Sequence, residues 1–328
     1  MPGARASVAF TSKKWQVFMH TPDEIKALRE KHYNATLIDI KTLNSELWIF
    51  RVRPDKALPA YKPGQYTTLG LGDWEPTNDP ANNEDVGETL KTKLVRRAYS
   101  MSFPMYEVNP KQLLAPEDLD YYEFYLTVVD RDGVPGQEPS LTPRLWTLEK
   151  GDRLWMGPKV TGHYTLEFVG PNDQVIFAAT GTGEAPHNCM IADMLRHGHT
   201  AAIVSIVCVR YARDLGYLQT NQQLAELYPN YHYITLTTRE EQNLARKVYI
   251  QDLIKSGALE TQTGITLDPT RTHVYICGNP DMIGVPIYTR AGEKSYPETL
   301  GIVELLESRG FKADHRKDRG NIHFEEYW

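Results

Sequence analysis

The sequence predicts two domains, an N-terminal antiparallel β-barrel and a C-terminal α/β domain built on a parallel sheet. Three observations carry that expectation. The 328 residues are about twice the ~150 of a typical domain. From residue 35 to residue 170, short alternating strands are broken by Gly, Pro, Asn and Asp turns with a single short helix, the pattern of a small barrel. From residue 171 onward, apolar strands alternate with helical segments, which implies a parallel sheet.

The elements follow in order. Residues 1–34 form an N-terminal extension, with a helix from Thr21-Pro22-Asp23-Glu24 to about His32. A cap, an early proline and acids at the positive dipole end mark its start. Ala35–Leu43 and Glu46–Arg53 are strands joined by an Asn44-Ser45 turn. Pro63-Gly64 turns into the strand of Gln65–Leu71, Asp73–Lys93 reads as a surface insertion, and Ala98–Phe103 is the next strand. After a polar segment at Glu107–Asp120, Tyr122, Phe124, Leu126 and Val128 alternate in a further strand. Asp130–Pro139 is a turn region, Ser140–Leu148 a short helix, Arg153–Met156 a strand, and a last short strand is expected within Gly157–Glu167.

The α/β half, residues 171–328, opens with the strand Gln174–Ala179 running into Thr180-Gly181-Thr182-Gly183 and the helix Ala185–His197. Ala201–Val209, Tyr231–Leu236 and His273–Cys277 are strands, the first apolar throughout and therefore covered on both faces. Leu218–Tyr228, Val248–Ser256 and Thr299–Arg309 are helices.

Composition narrows the function. A net charge of −6 argues against general nucleic-acid binding. No apolar run of about 18 residues and no signal-like apolar core at Met1–Lys14 predict a cytoplasmic protein without a membrane span. Cys189, Cys208 and Cys277 are unclustered, which fits a reducing compartment and excludes an iron–sulfur cluster held by the chain. The histidines show no metal-ligand spacing, so no metal is expected.

Two stretches carry chemistry. In Arg97-Ala98-Tyr99-Ser100 a strand puts Arg97 and Tyr99 on one face. A cation beside a flat ring suits a phosphate and an aromatic heterocycle; the same pattern also suits an ordinary half-buried strand. The Thr180–Gly183 loop between strand and helix suits a phosphate at a helix start, or simply a tight turn. Arg210, Arg213, Thr238-Arg239, Arg246 and Lys247 fall after strands, on the same edge as that loop. Ligands bind outside this edge in such sheets, although exposed arginines are commonly just solvated. Cys277 ends a strand before Gly278 with no neighbouring base in sequence.

Taken in order, these segments resemble the bacterial form of the ferredoxin/flavodoxin–NADP⁺ reductase family. The resemblance rests on Pro63-Gly64-Gln65-Tyr66, Arg97-Ala98-Tyr99-Ser100, Tyr125–Val129, Thr161–Leu166, Thr180–Pro186, Cys277–Met282 and the terminal Tyr327-Trp328. It implies an FAD-binding barrel at 35–170 and an NADP-binding domain at 171–328 with an aromatic tail. For FAD it implies that Arg97 pairs with the pyrophosphate within an Arg97-Ala98-Tyr99-Ser100 seat. Tyr99 would stack on the isoalloxazine, and Ser100 would bond near N5. Thr165 would hold phosphate, Thr180 would lie close to the flavin, and Trp328 would stack on adenine. For NADP(H) it implies a cradle of Gly181, Thr182 and Gly183, with Arg210 and Arg239 on phosphate. Cys277 would sit beside the nicotinamide, and Tyr327 would cover the flavin as a gate. The implied reaction is hydride transfer at N5 followed by single-electron transfer to a separate ferredoxin or flavodoxin.

Two residues depart from the family pattern: Glu184 stands at a usually apolar position and His187 at an often aromatic one. An acid beside a pyrophosphate is unfavourable unless it points away. The region Arg239–Tyr249 matches poorly, which leaves NADPH or NADH open. Arg309, Lys312, Arg316, Lys317 and Arg319 form either a docking patch for an acidic protein or a solvated end. The competing readings are an NADH-dependent reductase component of an oxygenase and a non-catalytic flavin- or nucleotide-binding module.

Overall fold

The computed structural model describes residues 20–56, 60–76, 92–107, 112–129, 141–316 and 318–327. Most of the insertion expected at Asp73–Lys93, the turn at Asp130–Pro139, Lys317 and Trp328 lie outside the described residues.

Helix α1 (Pro22–His32) begins at Thr21 with a capping box closed by Glu24. It does not stand apart from the fold. Arg29 reaches the buried carboxylate of Glu75 with two bonds of 2.8 and 2.6 Å, and Tyr33 donates to the same carboxylate at 2.8 Å. The extension is thereby tied to the barrel wall.

The strands β1 (Ala35–Thr42), β2 (Leu47–Pro54), β3 (Tyr66–Gly72) and β4 (Leu94–Ser100) come first. The two-residue pair β5 (Tyr106–Glu107) and β6 (Gln112–Leu113) precedes β7 (Tyr122–Thr127), helix α2 (Thr142–Leu145) and β8 (Arg153–Met156). Apart from β5 and β6, which pair only with each other, these strands form a six-stranded antiparallel sheet in the order β4-β3-β8-β1-β2-β7. Past the end of β4, Ser102 bridges to Glu123 of β7, its N–H donating to the Glu123 carbonyl at 2.7 Å. That bridge joins the two edge strands and closes the barrel. The last strand expected within Gly157–Glu167 is absent: Thr161 makes an isolated bridge to Tyr66, and Leu166–Phe168 is a 3₁₀ turn. Gly162 and Pro158 interrupt the run, so it cannot sustain a ladder.

The second half contains β9 (Gln174–Thr180), α3 (Glu184–Arg196), β10 (Ile203–Val209), α4 (Leu218–Leu227) and β11 (Tyr231–Thr237). These are followed by α5 (Ile250–Ser256), α6 (Ala258–Thr263), β12 (Thr272–Gly278) and α7 (Pro280–Ile283). The pair β13 (Ile287–Tyr288) and β14 (Lys294–Ser295), then α8 (Ile302–Glu307) and β15 (Ile322–Glu326), complete the chain. The parallel sheet runs β11-β10-β9-β12-β15. Alternate residues of β9 face opposite layers: Val175 and Phe177 pack with α3, whereas Ile176 and Ala178 pack with α5 and α8.

The two halves share a core. Trp48, Phe50 and Val52 of β2 point into the barrel, while Leu47 and Ile49 on the other face join Tyr125, Met190, Phe177 and Tyr217 in one apolar cluster. This double burial explains why β2 is apolar on both faces at its start.

Candidate functional site

The carboxyl ends of the parallel strands and the closing end of the barrel face one another, and two cavities lie between them. The larger, of about 1380 Å³, is lined by Thr180, Gly181, Thr182, Arg210, Arg213, Arg239 and Lys247, among others. The smaller, of about 440 Å³, is lined by Arg97, Ala98, Tyr99 and Ser100 with Tyr66, Leu126, Glu325 and Tyr327. Thr127, Val129 and Thr182 line both. The cavities therefore meet.

In the smaller cavity β4 pairs with β3, and Tyr99 and Ser100 lie opposite Thr67 and Tyr66. Burial holds the Tyr99 hydroxyl protonated, far above its ordinary range. Arg97 donates to the Arg96 carbonyl at 2.7 Å. Arg96, on the opposite face, lies over the ring of Trp155 at 4.2 Å. The strand thus divides its two cations between cavity and outer wall, as the alternation requires.

Ser100 Oγ donates to Glu325 Oε2 at 3.3 Å. Burial pushes the Glu325 carboxyl up to about 7, the Ser100 hydrogen bond partly opposing it. Sequence reading missed Glu325, because the polar stretch His323-Phe324-Glu325-Glu326 gives no apolar strand signal. Its backbone is nonetheless β15, in register with Cys277. The Tyr327 hydroxyl interacts with both Ser100 and Cys277, and its backbone N–H donates to the Gly278 carbonyl at 3.0 Å. Cys277 is fully buried beneath this tyrosine, and desolvation keeps its thiol protonated.

Two glycines set the spacing of the strand ends. A Cβ on Gly183 would stand 2.2 Å from the Cys277 carbonyl oxygen. Gly278 has φ +130°, and a Cβ there would meet Thr180 Oγ1 at 2.2 Å. Thr180 Oγ1 also accepts from the Asn279 N–H at 2.8 Å. No side chain fits at either position without parting β9 from β12.

Of the residues expected to act, Arg97, Ala98, Tyr99, Ser100 and Tyr327 line the smaller cavity, and Thr180, Gly181, Thr182, Arg210 and Arg239 the larger. Thr165, Gly183 and Cys277 are buried and line neither; the Thr165 carbonyl accepts from Tyr275 at 2.9 Å. Glu184 does point away from the loop. It is 1% exposed. Its Oε1 accepts from Asn221 at 3.0 Å and from Tyr233 at 3.3 Å, while Oε2 is buried without a hydrogen bond. Burial without a cation lifts its carboxyl to about 8. His187 bonds Tyr164 at 2.7 Å, and burial depresses its imidazole to about 3.

The basic C-terminal residues are largely engaged: Arg309 with Glu260, Lys312 with Asp318, and Arg319 with Asp314. Among the described residues, no group of His, Cys, Asp and Glu could hold a metal ion, and no helix is long and apolar enough to cross a membrane.

Residues 177–285 match the oxidoreductase NAD-binding domain family. The chain is 32% identical over 221 residues to the flavodoxin/ferredoxin–NADP reductase of Escherichia coli (strain K12), covering 67% of this chain and 75% of that protein. It is 26% identical over 296 residues to the flavodoxin/ferredoxin–NADP reductase of Buchnera aphidicola subsp. Baizongia pistaciae, covering 90% of this chain and 98% of that one. Among solved structures, a ferredoxin NADP+ reductase from Neisseria gonorrhoeae with bound FAD and NADP superposes with a TM-score of 0.64 at 17% identity, covering 89% of this chain and 97% of that one.

Proposed function

The chain belongs to the flavodoxin/ferredoxin–NADP reductase family, and from that premise we infer an FAD enzyme that moves electrons between NADP(H) and a ferredoxin or a flavodoxin. The observation that carries this reading is the meeting of the two cavities at Thr127, Val129 and Thr182. Two ring systems held in them can come into contact there.

The residues present fit FAD. The smaller cavity offers the aromatic side chains of Tyr66 and Tyr99, the apolar Leu126, a hydroxyl at Ser100 and a guanidinium at Arg97, the donor set for a flat heterocycle with an anionic tail. When bound, FAD supplies two-electron hydride chemistry on one side and one-electron chemistry on the other. The protein's contribution is orientation and proton placement. Tyr99 and Ser100 fix the ring edge. Glu325, with a carboxyl that titrates near neutrality, holds a proton within reach of Ser100 Oγ. Tyr327 covers Cys277, so a nicotinamide reaches that thiol only when the tail swings aside.

The larger cleft fits the coenzyme. Thr180, Gly181 and Thr182 present the turn ahead of α3, and Arg210, Arg213, Arg239 and Lys247 supply cations for a 2′-phosphate. This set supports NADP(H) over NAD(H). The three described cysteines are free and buried, which supports a reducing, cytoplasmic setting.

The test is direct. Purified protein should be yellow, and its diaphorase rate should favour NADPH over NADH. It should then reduce a ferredoxin or flavodoxin of the same organism. Colourless protein that cannot be loaded with FAD would overturn the reading, and an NADH preference would overturn the coenzyme assignment.

A further inference from the structure

A single chain of hydrogen bonds crosses the seam between barrel and α/β domain and returns. Asn188 of α3 donates to Ser102 Oγ at 3.3 Å, and Ser102 Oγ donates to the Tyr217 hydroxyl at 2.8 Å. The Tyr217 hydroxyl donates to Glu123 Oε1 at 2.8 Å, and Arg51 donates to Glu123 Oε2 at 2.8 Å. Asn188 and Tyr217 belong to the α/β domain; Ser102, Glu123 and Arg51 belong to the barrel. Every donor in the series points toward one carboxylate, and all but Arg51 are buried.

Its location matters as much as its polarity. Ser102 follows Ser100 by two residues and makes the backbone bridge that closes the barrel. Tyr217 also packs edge-on against Tyr125 at 5.5 Å, and Tyr125 lines the smaller cavity. Thus one hydroxyl, on the segment entering α4, contacts both the strand end that carries Ser100 and the strand that forms the opposite wall.

We propose that Tyr217 is a positioning residue for the reaction: its hydroxyl locks the Ser100 end of β4 to the α/β domain, so that the two cavities keep one mutual alignment. This rests on the FAD and NADP(H) reading above. The physical basis is that a buried carboxylate needs its donors. Removing the Tyr217 hydroxyl strips one donor from Glu123 and the acceptor from Ser102, and this chain of bonds loses two of the three that cross the seam. Ring alignment between separately bound groups is sensitive to sub-ångström shifts.

The experiment compares wild type, Tyr217→Phe, Ser102→Ala and the double variant as flavin-loaded full chains. Flavin content and the dissociation constant for 2′-phospho-AMP should stay within about twofold, since neither residue lines the coenzyme cleft. The visible difference spectrum induced by NADP⁺ should shrink in both single variants. Amide hydrogen exchange over residues 97–105 should quicken in the same variants. Turnover with NADPH should fall about tenfold in kcat with little change in KM, and the double variant should fall no further, because both act on one chain. Lowered thermal stability with unchanged kcat, exchange and difference spectrum would reduce the array to a structural role and overturn the proposal. Wild-type protein that takes up no flavin would instead overturn the parent reading, so the two failures are distinct.

Discussion

The Ser100 hydroxyl lies 3.3 Å from a carboxylate oxygen of Glu325, 225 residues later in the chain. That contact joins the barrel to the last strand of the parallel sheet at the floor of the smaller cavity. It supplies a carboxyl raised to about 7 beside the guanidinium of Arg97 and the protonated phenol of Tyr99.

Glu325→Gln should therefore change the pH profile more than the fold. The wild-type carboxyl is neutral below about 7 and charged above it. Turnover with NADPH should bend near that pH in the wild type and run flat between pH 6 and 8 in the variant. Ser100→Ala should lower kcat roughly 10–100-fold with flavin retained. A variant that keeps the bend would assign it to another group.

Glu184 gives a stability prediction with a defined sign. Its carboxyl sits at about 8 in the fold against an ordinary 4.5. The unfolded chain therefore releases this proton first, and the group's contribution is lost as pH rises from about 4.5 to about 8. Glu184→Gln, which lacks that proton, should be more stable than wild type at pH 8.5 by roughly 2–4 kcal/mol and comparable at pH 4.5. Urea midpoints of both proteins at the two pH values decide it; parallel curves would mean the carboxyl is solvated after all.

Arg210 and Arg239 should matter for the 2′-phosphate. Arg210→Ala should weaken 2′-phospho-AMP about tenfold and flatten its salt dependence. Arg210 also reaches Glu46 on the β1–β2 hairpin at 3.1 Å, an exposed pair that competes with the ligand. Glu46→Gln should tighten 2′-phospho-AMP two- to threefold, on the order expected for an exposed pair. Isothermal titration reads both, and unchanged affinity in Arg210→Ala would remove that residue from the phosphate site.

The tail should act as a gate. Deleting Tyr327 and Trp328 should tighten NADP⁺ binding, because Cys277 is then uncovered, and should change the rate of hydride transfer in stopped flow. Affinity and rate both unchanged would leave Tyr327 without that role.

Much of this arrangement was legible in the sequence. Periodicity located most of the major strands, though the one expected at Ala98–Phe103 runs instead from Leu94 to Ser100, and the Arg97–Ser100 and Thr180–Thr182 stretches line neighbouring cavities. What escaped was decided by tertiary pairing. β15 is short and polar, and it is a strand only because β12 offers it an edge. Glu184 looked like an intruder beside a phosphate loop, since nothing local announces that Asn221 and Tyr233 wait beneath the helix. The barrel's closure hangs on Ser102 and Glu123, a pair whose meeting no alternation encodes.

The wall shared by the two cavities has a thermodynamic consequence. Thr127, Val129 and Thr182 line both cavities, which gives occupancy of one a physical route to the free energy of filling the other. Such coupling is reciprocal by necessity. Whatever factor the flavin contributes to coenzyme affinity, the coenzyme returns to flavin retention, and the change that NADP⁺ makes in flavin affinity should equal the change that flavin makes in NADP⁺ affinity.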